Sequence, residues 1–280
     1  MEMSRSLRIV CVGDSLTAGY VGDRKSEHPY SKTFGYAMSY NILRGCVVAS
    51  PHLTNPLHIF PDRTSLQKLL DDASTKTNAA TRVVDAVPYG FCGADSSQIL
   101  DICKSYMEDI AASGTDVAFI MAGTNDLVRA NIKPENTIQT LLAIHALFHA
   151  RGIATVAMTI PESGIAKSVD KYVAAHRKTN ELIKDAFAPK ENLCFVDAED
   201  LIRYESSGDS AAFWLADGLH FSTLGYDEFG RRLASAVWPF VAALTALPQV
   251  SMAKVRVAGA RESGKLVSWL QQHMHVIRVK

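Results

Sequence analysis

The chain has no excess of charge of either sign: 29 Lys and Arg balance 29 Asp and Glu over 280 residues. A basic nucleic-acid-binding surface and an acidic tail are therefore excluded as organising features. Cysteine is sparse. The five (Cys11, Cys46, Cys92, Cys103, Cys194) form no C-x-x-C pair and no even set, which excludes a zinc ribbon and a disulfide framework. Most lie in apolar runs and read as reduced thiols acting as small core residues in a cytoplasmic protein. Long apolar runs are also missing. The longest, Leu233 to Leu247, falls short of the ~20 residues of an integral membrane segment. It contains Pro239 and reads as a buried helix kinked or broken there. The first strand starts by Leu7, leaving no room ahead of it for the apolar region of a secretory signal. No internal repeat, low-complexity tract, metal-ligand cluster or G-x-S-x-G elbow is present.

What is present is an alternation of strand and helix signals. Leu7 to Val12, Arg82 to Val87, Val117 to Met121, Ile153 to Ile160 and Leu193 to Asp197 are apolar, β-branched runs that predict five strands. Between them, Asp95 opens a helix to about Ala112, Pro134 to Ala150 is a helix ended by Arg151-Gly152, and Val169 to Phe187 is a third. Another long helix begins near Thr223. Thr33 to Leu43 and Thr64 to Ala73 also read as helical, around a proline-bearing loop from Ala49 to Arg63. This alternation predicts a parallel sheet covered on both faces. Residues 1–248 form the main domain, with an insertion at about 30–72. Residues 249–280 read as a small appendage of strand (Lys254 to Val257), helix (Ser263 to Met274) and strand (His275 to Val279).

The chemistry concentrates where strands end. Gly13-Asp14-Ser15-Leu16 follows the first strand directly, so a tight turn holds the Ser15 hydroxyl at the carboxyl edge of the sheet. A second Gly-Asp-Ser, at Gly208-Asp209-Ser210, has no apolar strand before it and reads as loop. Serine needs a base. Of nine histidines, only His220 has a carboxylate three positions earlier, in Asp217-Gly218-Leu219-His220, a spacing that lets an Asp orient an imidazole. Tyr89 to Asp95 follows a strand and opens a helix, where Gly93 is either a turn glycine or a backbone donor facing the cleft. Gly123-Thr124-Asn125-Asp126 follows the third strand, where Asn125 is either part of a helix cap or an amide donor at the same edge. Phe213-Trp214-Leu215 either lines a pocket or packs the sheet edge.

Together these blocks resemble the SGNH hydrolases, also called the GDSL esterase/lipase family. Gly13-Asp14-Ser15-Leu16-Thr17-Ala18-Gly19 is similar to that family's first block, Gly93 to the second, Gly123-Thr124-Asn125-Asp126 to the third and Asp217-Gly218-Leu219-His220 to the fifth, in the family's order over residues 7 to 246. Pro88 stands where the second block often has Asn. The resemblance implies a flavodoxin-like α/β/α sandwich around a five-stranded parallel sheet. It implies a carboxylic ester hydrolase with Ser15 as nucleophile, His220 as base and Asp217 orienting it. The oxyanion donors would be the N–H groups of Ser15 and Gly93 and the side chain of Asn125. No metal or organic cofactor is implied, and the partner is a small-molecule ester rather than nucleic acid. Small or short-chain esters lead, with lysophospholipase/thioesterase and carbohydrate O-deacetylase activities as alternatives.

Two rivals come from other classes. A non-catalytic binding protein on this scaffold is disfavoured by the intact set Ser15, Gly93, Asn125, Asp217 and His220. The tail segment Gly259 to Leu266 nearly matches a phosphate-binding loop, but Leu266 replaces the hydroxyl residue that would hold magnesium, and it reads as packing.

Overall fold

A computed structural model describes residues 7–22, 84–128, 132–187 and 193–246. The five apolar runs form strands β1 (Leu7–Gly13), β2 (Val84–Gly90), β3 (Val117–Met121), β4 (Ala154–Met158) and β5 (Leu193–Val196). All pair in parallel, in the order β2-β1-β3-β4-β5. That is the flavodoxin-like order, and it reverses direction beside β1. The helices are α1 (Ser15–Ala18), α2 (Ser96–Ala112), α3 (Thr124–Val128), α4 (Pro134–His149), α5 (Gly164–Ser168), α6 (Asp170–Phe187), α7 (Ala198–Leu201) and α8 (Thr223–Ala246).

Strands buried on both faces need apolar residues at every position, which is why β1 and β3 read as continuous runs. Ile9, Cys11, Phe119, Met121, Val156 and Met158 face one core, closed by Tyr226, Phe229, Leu233 and Val237 of α8. Val10, Val12, Ala118, Ile120 and Ala157 face the other, closed by Ile99 and Ile110 of α2, Ile144 and Phe148 of α4, and Ile183 of α6. Three layers result, with the sheet in the middle.

Asp95 caps α2 through a capping box: its carboxylate accepts from the Gln98 N–H at 3.0 Å, while the Gln98 side chain accepts from the Asp95 N–H at 3.1 Å. Such a cap stabilises a helix by ~1 kcal/mol. Differences from the sequence reading have physical causes. Strand β2 continues past Val87 through Pro88 to Gly90. The Phe91 N–H bonds the Gly13 carbonyl, so odd-numbered residues point their N–H groups at β1. Pro88 thus lacks its donor on the outer side of β2, which is an edge among the described residues. Strand β4 is shorter than read, and the third long helix starts at Asp170 after the separate turn of α5.

Helix α8 continues unbroken through Pro239, contrary to a break at that point. An interior proline costs about 3 kcal/mol, but burying Val237 and Val241 on either side returns ~1.5–3 kcal/mol each. The carbonyl freed by Pro239 belongs to Ser235, which is exposed to water. Burial pushes the Cys103 and Cys194 thiols up to about 12, consistent with packing rather than reactivity. Among the described residues, no helix is long and apolar enough to cross a membrane. The insertion at about 30–72, with its two expected helices, Cys46, and the tail 249–280 with its Gly259 to Leu266 segment, lie outside the described residues.

Two glycines decide where α1 sits. A Cβ on Gly90 would collide with the backbone N and Cα of Ala18, and one on Gly13 with the Met121 carbonyl and the Thr17 hydroxyl. Helix α1 is thus seated on the end of β2 at backbone contact and on the end of β1 through the Thr17 side chain. Gly90→Ala is expected to destabilise the fold by at least ~1–3 kcal/mol, read as a lowered urea midpoint at unchanged m-value. A variant as stable as wild type would show that α1 moves aside freely.

Candidate active site

Strand β1 delivers Ser15 to the reversal point of the sheet. Asp14 caps the single turn of α1, its Oδ1 accepting the Leu16 N–H at 3.0 Å and its carbonyl accepting from Thr17 and Ala18. Gly19, at φ 79°, ends the turn, a conformation that glycine adopts without steric cost. Ser15 is therefore the first residue of a short, fully buried helix. Its own N–H has no partner among the described residues.

The Asp217 loop is closed by a bridge between Trp214 and Phe221 and by the bond from the Leu215 N–H to the His220 carbonyl, 2.8 Å. Gly218 turns at φ 64°, and its carbonyl accepts from the Gly164 N–H at 2.6 Å, tying the loop to α5. Asp217 Oδ1 accepts the N–H groups of Leu219 and His220 at 2.9 and 3.0 Å. Its Oδ2 lies 2.8 Å from His220 Nδ1. Burial alone would raise the Asp217 carboxyl, but the backbone N–H and imidazole of His220 and the Leu219 N–H outweigh it and hold the group below its ordinary value. A charged carboxylate there fixes the tautomer with hydrogen on Nδ1, which leaves Nε2 as an acceptor. That nitrogen lies 2.9 Å from Ser15 Oγ. The arrangement is a continuous relay from hydroxyl to imidazole to carboxylate, suited to moving one proton off the serine.

The two other blocks converge on the same edge. Asn125 lies inside α3 rather than at its cap, and its Nδ2 donates to the Ala94 carbonyl at 2.9 Å. That uses one of its two amide hydrogens, and the other has no partner among the described residues. The capping role falls to Asp126 and serves a different helix: Asp126 accepts the Ser96 N–H at 2.8 Å and hydroxyl at 2.6 Å, opening α2, and the Thr137 hydroxyl of α4 at 2.9 Å. Gly93 is exposed on the turn beside Ala94 at φ 77°, with open space where a Cβ would stand. The bond from Asn125 to Ala94 fastens the third block to the second.

Trp214 is buried in the core with rings of Tyr204 and Phe221 against it, so of the two readings for Phe213-Trp214-Leu215, packing holds at Trp214. The second Gly-Asp-Ser enters a 3-10 turn, Asp209–Phe213, on the surface rather than an irregular loop. One contributor escaped the sequence reading. The Tyr20 ring packs on His220 at 4.6 Å between centroids, and the Tyr226 hydroxyl donates to the Tyr20 carbonyl at 3.0 Å. Tyr20 directly follows Gly19, the residue that turns it back toward the cleft; its contact 200 positions away has no sequence signature. Among the described residues, no group of three or more His, Cys, Asp or Glu is placed to hold a metal ion.

Comparison with known proteins places the chain in a family. Residues 11–228 match the model of the GDSL-like lipase/acylhydrolase family. Among solved structures, a lipase/acylhydrolase from Enterococcus faecalis superposes with TM-score 0.53 at 18% identity, over 84% of this chain and 96% of that one. A Clostridium thermocellum family 3 carbohydrate esterase superposes with TM-score 0.53 at 16% identity, over 86% and 100%. The lipase Lip_vut3 from a goat rumen metagenome gives 0.56 at 14%, over 83% and 98%. At these identities the likeness is one of fold. A comparison with curated protein sequences finds no match. The family model spans more than half of the sequence and contains the strand-end blocks described above, and the chain belongs to the GDSL-like lipase/acylhydrolase family.

Proposed function

We propose that the protein is a serine esterase that hydrolyses carboxylic esters, small or short-chain ones first, through an acyl-enzyme. The observation that carries this reading is the unbroken relay Ser15 Oγ, His220 Nε2, His220 Nδ1, Asp217 Oδ2, at 2.9 and 2.8 Å. Ser15 Oγ attacks the ester carbonyl as His220 takes its proton. The carbonyl π-electrons move onto oxygen, where the Ser15 N–H, the Gly93 N–H and the Asn125 amide are the donors. When they return, the bond to the leaving oxygen breaks and His220 protonates the departing alcohol. Water, deprotonated by the same imidazole, then attacks the acyl-serine and releases the acid. Relatives named for carbohydrate and for lipid substrates share this scaffold, which supports loops, rather than the sheet, as the source of alcohol specificity.

An acyl-enzyme common to all esters of one acid makes a specific demand. With methanol added, phenyl, nitrophenyl and alkyl esters of that acid are expected to give the same ratio of free acid to methyl ester. Ratios that follow the leaving group would replace the acyl-enzyme with direct attack by water.

Asp217→Asn is expected to lower kcat by about 10³–10⁴, because the imidazole loses its fixed tautomer. Near-normal turnover would make the His220 pairing structural only. Asn125→Ala is expected to lower kcat about 10²–10³-fold with little change in KM. Its lost bond to the Ala94 carbonyl should cost only ~0.5–1.5 kcal/mol of stability. Destabilisation with unchanged kcat would restrict Asn125 to holding the turn.

The site also stores strain in Asp14. Its carboxyl is wholly buried and Oδ2 makes no hydrogen bond among the described residues. Burial raises it from 3.8 to about 6, against the Leu16 N–H, the Thr124 hydroxyl and the His220 ring, with Asp126 adding repulsion. The folded state thus holds this proton more tightly than the unfolded chain. Stability contributed by protonated Asp14 is full below about pH 4 and is lost as pH rises to about 6. Relative to Asp14→Asn, wild type is expected to lose ~3 kcal/mol across that window, measured by paired urea titrations. Parallel curves would mean that Asp14 is not strained.

A further inference from the structure

Four side chains around the base close a circuit. His220 is followed by Phe221, whose ring packs edge-on against that of Tyr226, 5.3 Å between centroids and 82° between planes. Tyr226 is wholly buried, and its hydroxyl donates to the Tyr20 carbonyl at 3.0 Å. The Tyr20 ring returns to His220, 4.6 Å between centroids and tilted by 56°. The circuit is also tied to the nucleophile. The Ser15 carbonyl accepts the N–H groups of Gly19 and Tyr20 at 3.0 and 3.1 Å. The turn that presents the Ser15 hydroxyl therefore also sets where the Tyr20 side chain begins.

In the resting site the imidazole has three holds: Ser15 Oγ at Nε2, Asp217 Oδ2 at Nδ1, and the Tyr20 ring. Once Oγ carries an acyl group it has no hydrogen to give, and the first hold is gone. The second is the more open end of the relay, since the Asp217 side chain is 45% exposed against 14% for His220. One hydrogen bond fixes one edge of a ring and lets the rest rock about it.

Resting on the acyl-enzyme reading of Ser15, we infer that Tyr20 is a positioning residue for the second half-reaction, its ring keeping the imidazole aimed at the acyl carbonyl while Ser15 is esterified. In that half-reaction a water oxygen bonds to the acyl carbon as His220 Nε2 takes one of its protons. The carbonyl electrons move onto oxygen and, on returning, expel Ser15 Oγ, which takes the proton back from Nε2 as the acid leaves. The line of attack depends on where Nε2 points, and a misplacement of ~1 Å costs up to about 10²-fold. The first half-reaction begins with the Ser15 bond to Nε2 intact, so it depends on Tyr20 less.

The test follows the full chain turning over nitrophenyl acetate. Acid quenching during steady turnover, followed by intact-protein mass, gives the concentration of acyl-enzyme. The rate of acetate release divided by that concentration is the deacylation constant, whatever the folded fraction. The value of kcat/KM, normalised to the sites that a fluorophosphonate titrates, reports acylation. Tyr20→Leu is expected to lower the deacylation constant about tenfold or more, with a much smaller change in kcat/KM. Tyr20→Phe keeps the ring and is expected to restore the wild-type constant. Tyr226→Phe frees the Tyr20 carbonyl, is expected to shift deacylation in the same sense, and decides the matter if Tyr20→Leu does not fold. A deacylation constant unchanged in both Tyr20→Leu and Tyr226→Phe overturns the inference while leaving Ser15 intact. So does one that falls only in step with kcat/KM, or a Tyr20→Phe protein as slow as Tyr20→Leu. Absence of hydrolysis, or turnover with no acyl-enzyme trapped in any of these proteins, overturns the acyl-enzyme reading of Ser15, and this inference with it.

Discussion

Ser15 and His220 stand 205 positions apart in the chain and 2.9 Å apart in space, and most of what surrounds them serves to keep that distance. On one side, Asp14 caps a helix of one turn, which Gly90 lets seat on the end of β2 at backbone contact while Gly13 makes room for the Thr17 side chain. On the other, a short bridged loop places Asp217 so that one of its oxygens collects two backbone N–H groups while the second orients the imidazole. Neither half tolerates much slack, because a proton relay weakens steeply once its hydrogen bonds lengthen or bend. Tyr20 and Tyr226 join the halves: one ring rests on the imidazole, and one buried hydroxyl holds the backbone beneath that ring.

The same economy governs the neighbouring loops. Asp126 is buried, yet it satisfies three donors from two helices, which keeps α2 and α4 in register with the turn that carries Asn125. Asn180 does the equivalent work for Ile160. Buried polar groups of this kind cost free energy unless fully paired, and here pairing fixes loops that would otherwise move. Asp14 departs from this, with one buried carboxylate oxygen unpaired next to the nucleophile among the described residues. Local strain of that sort is tolerated where the surrounding fold over-determines the position.

Much of this could be read from the residues. Continuous apolar runs such as Val117 to Met121 can only be strands buried on both faces, and Asp95 with Gln98 announces the start of α2. The serine is legible from the strand it directly follows, and the aspartate and histidine from their three-residue spacing. Three things are not. The second strand reads as ending at Val87, before Pro88, because an edge position is a property of the sheet, not of the segment. Pro239 reads as a kink or break in a helix, and the burial on both sides of it that keeps the helix continuous is set by the fold. The segment Asn125-Asp126 reads as a helix cap or a donor site, and nothing local in it shows that Asp126 serves Ser96 and Thr137 of two other helices. Each depends on which surfaces meet across the fold.

The most direct test of the central claim is the site of covalent capture. A fluorophosphonate reacts only with a serine whose proton is removed and whose tetrahedral adduct is stabilised, so it reports the relay and the donors together. Peptide mapping of the treated protein is expected to find a single adduct, on Ser15, that is absent in Ser15→Ala and strongly slowed in Asp217→Asn, with both variants folded. An adduct on Ser210 or any other serine, or undiminished labelling of Ser15→Ala, would contradict the assignment of this site.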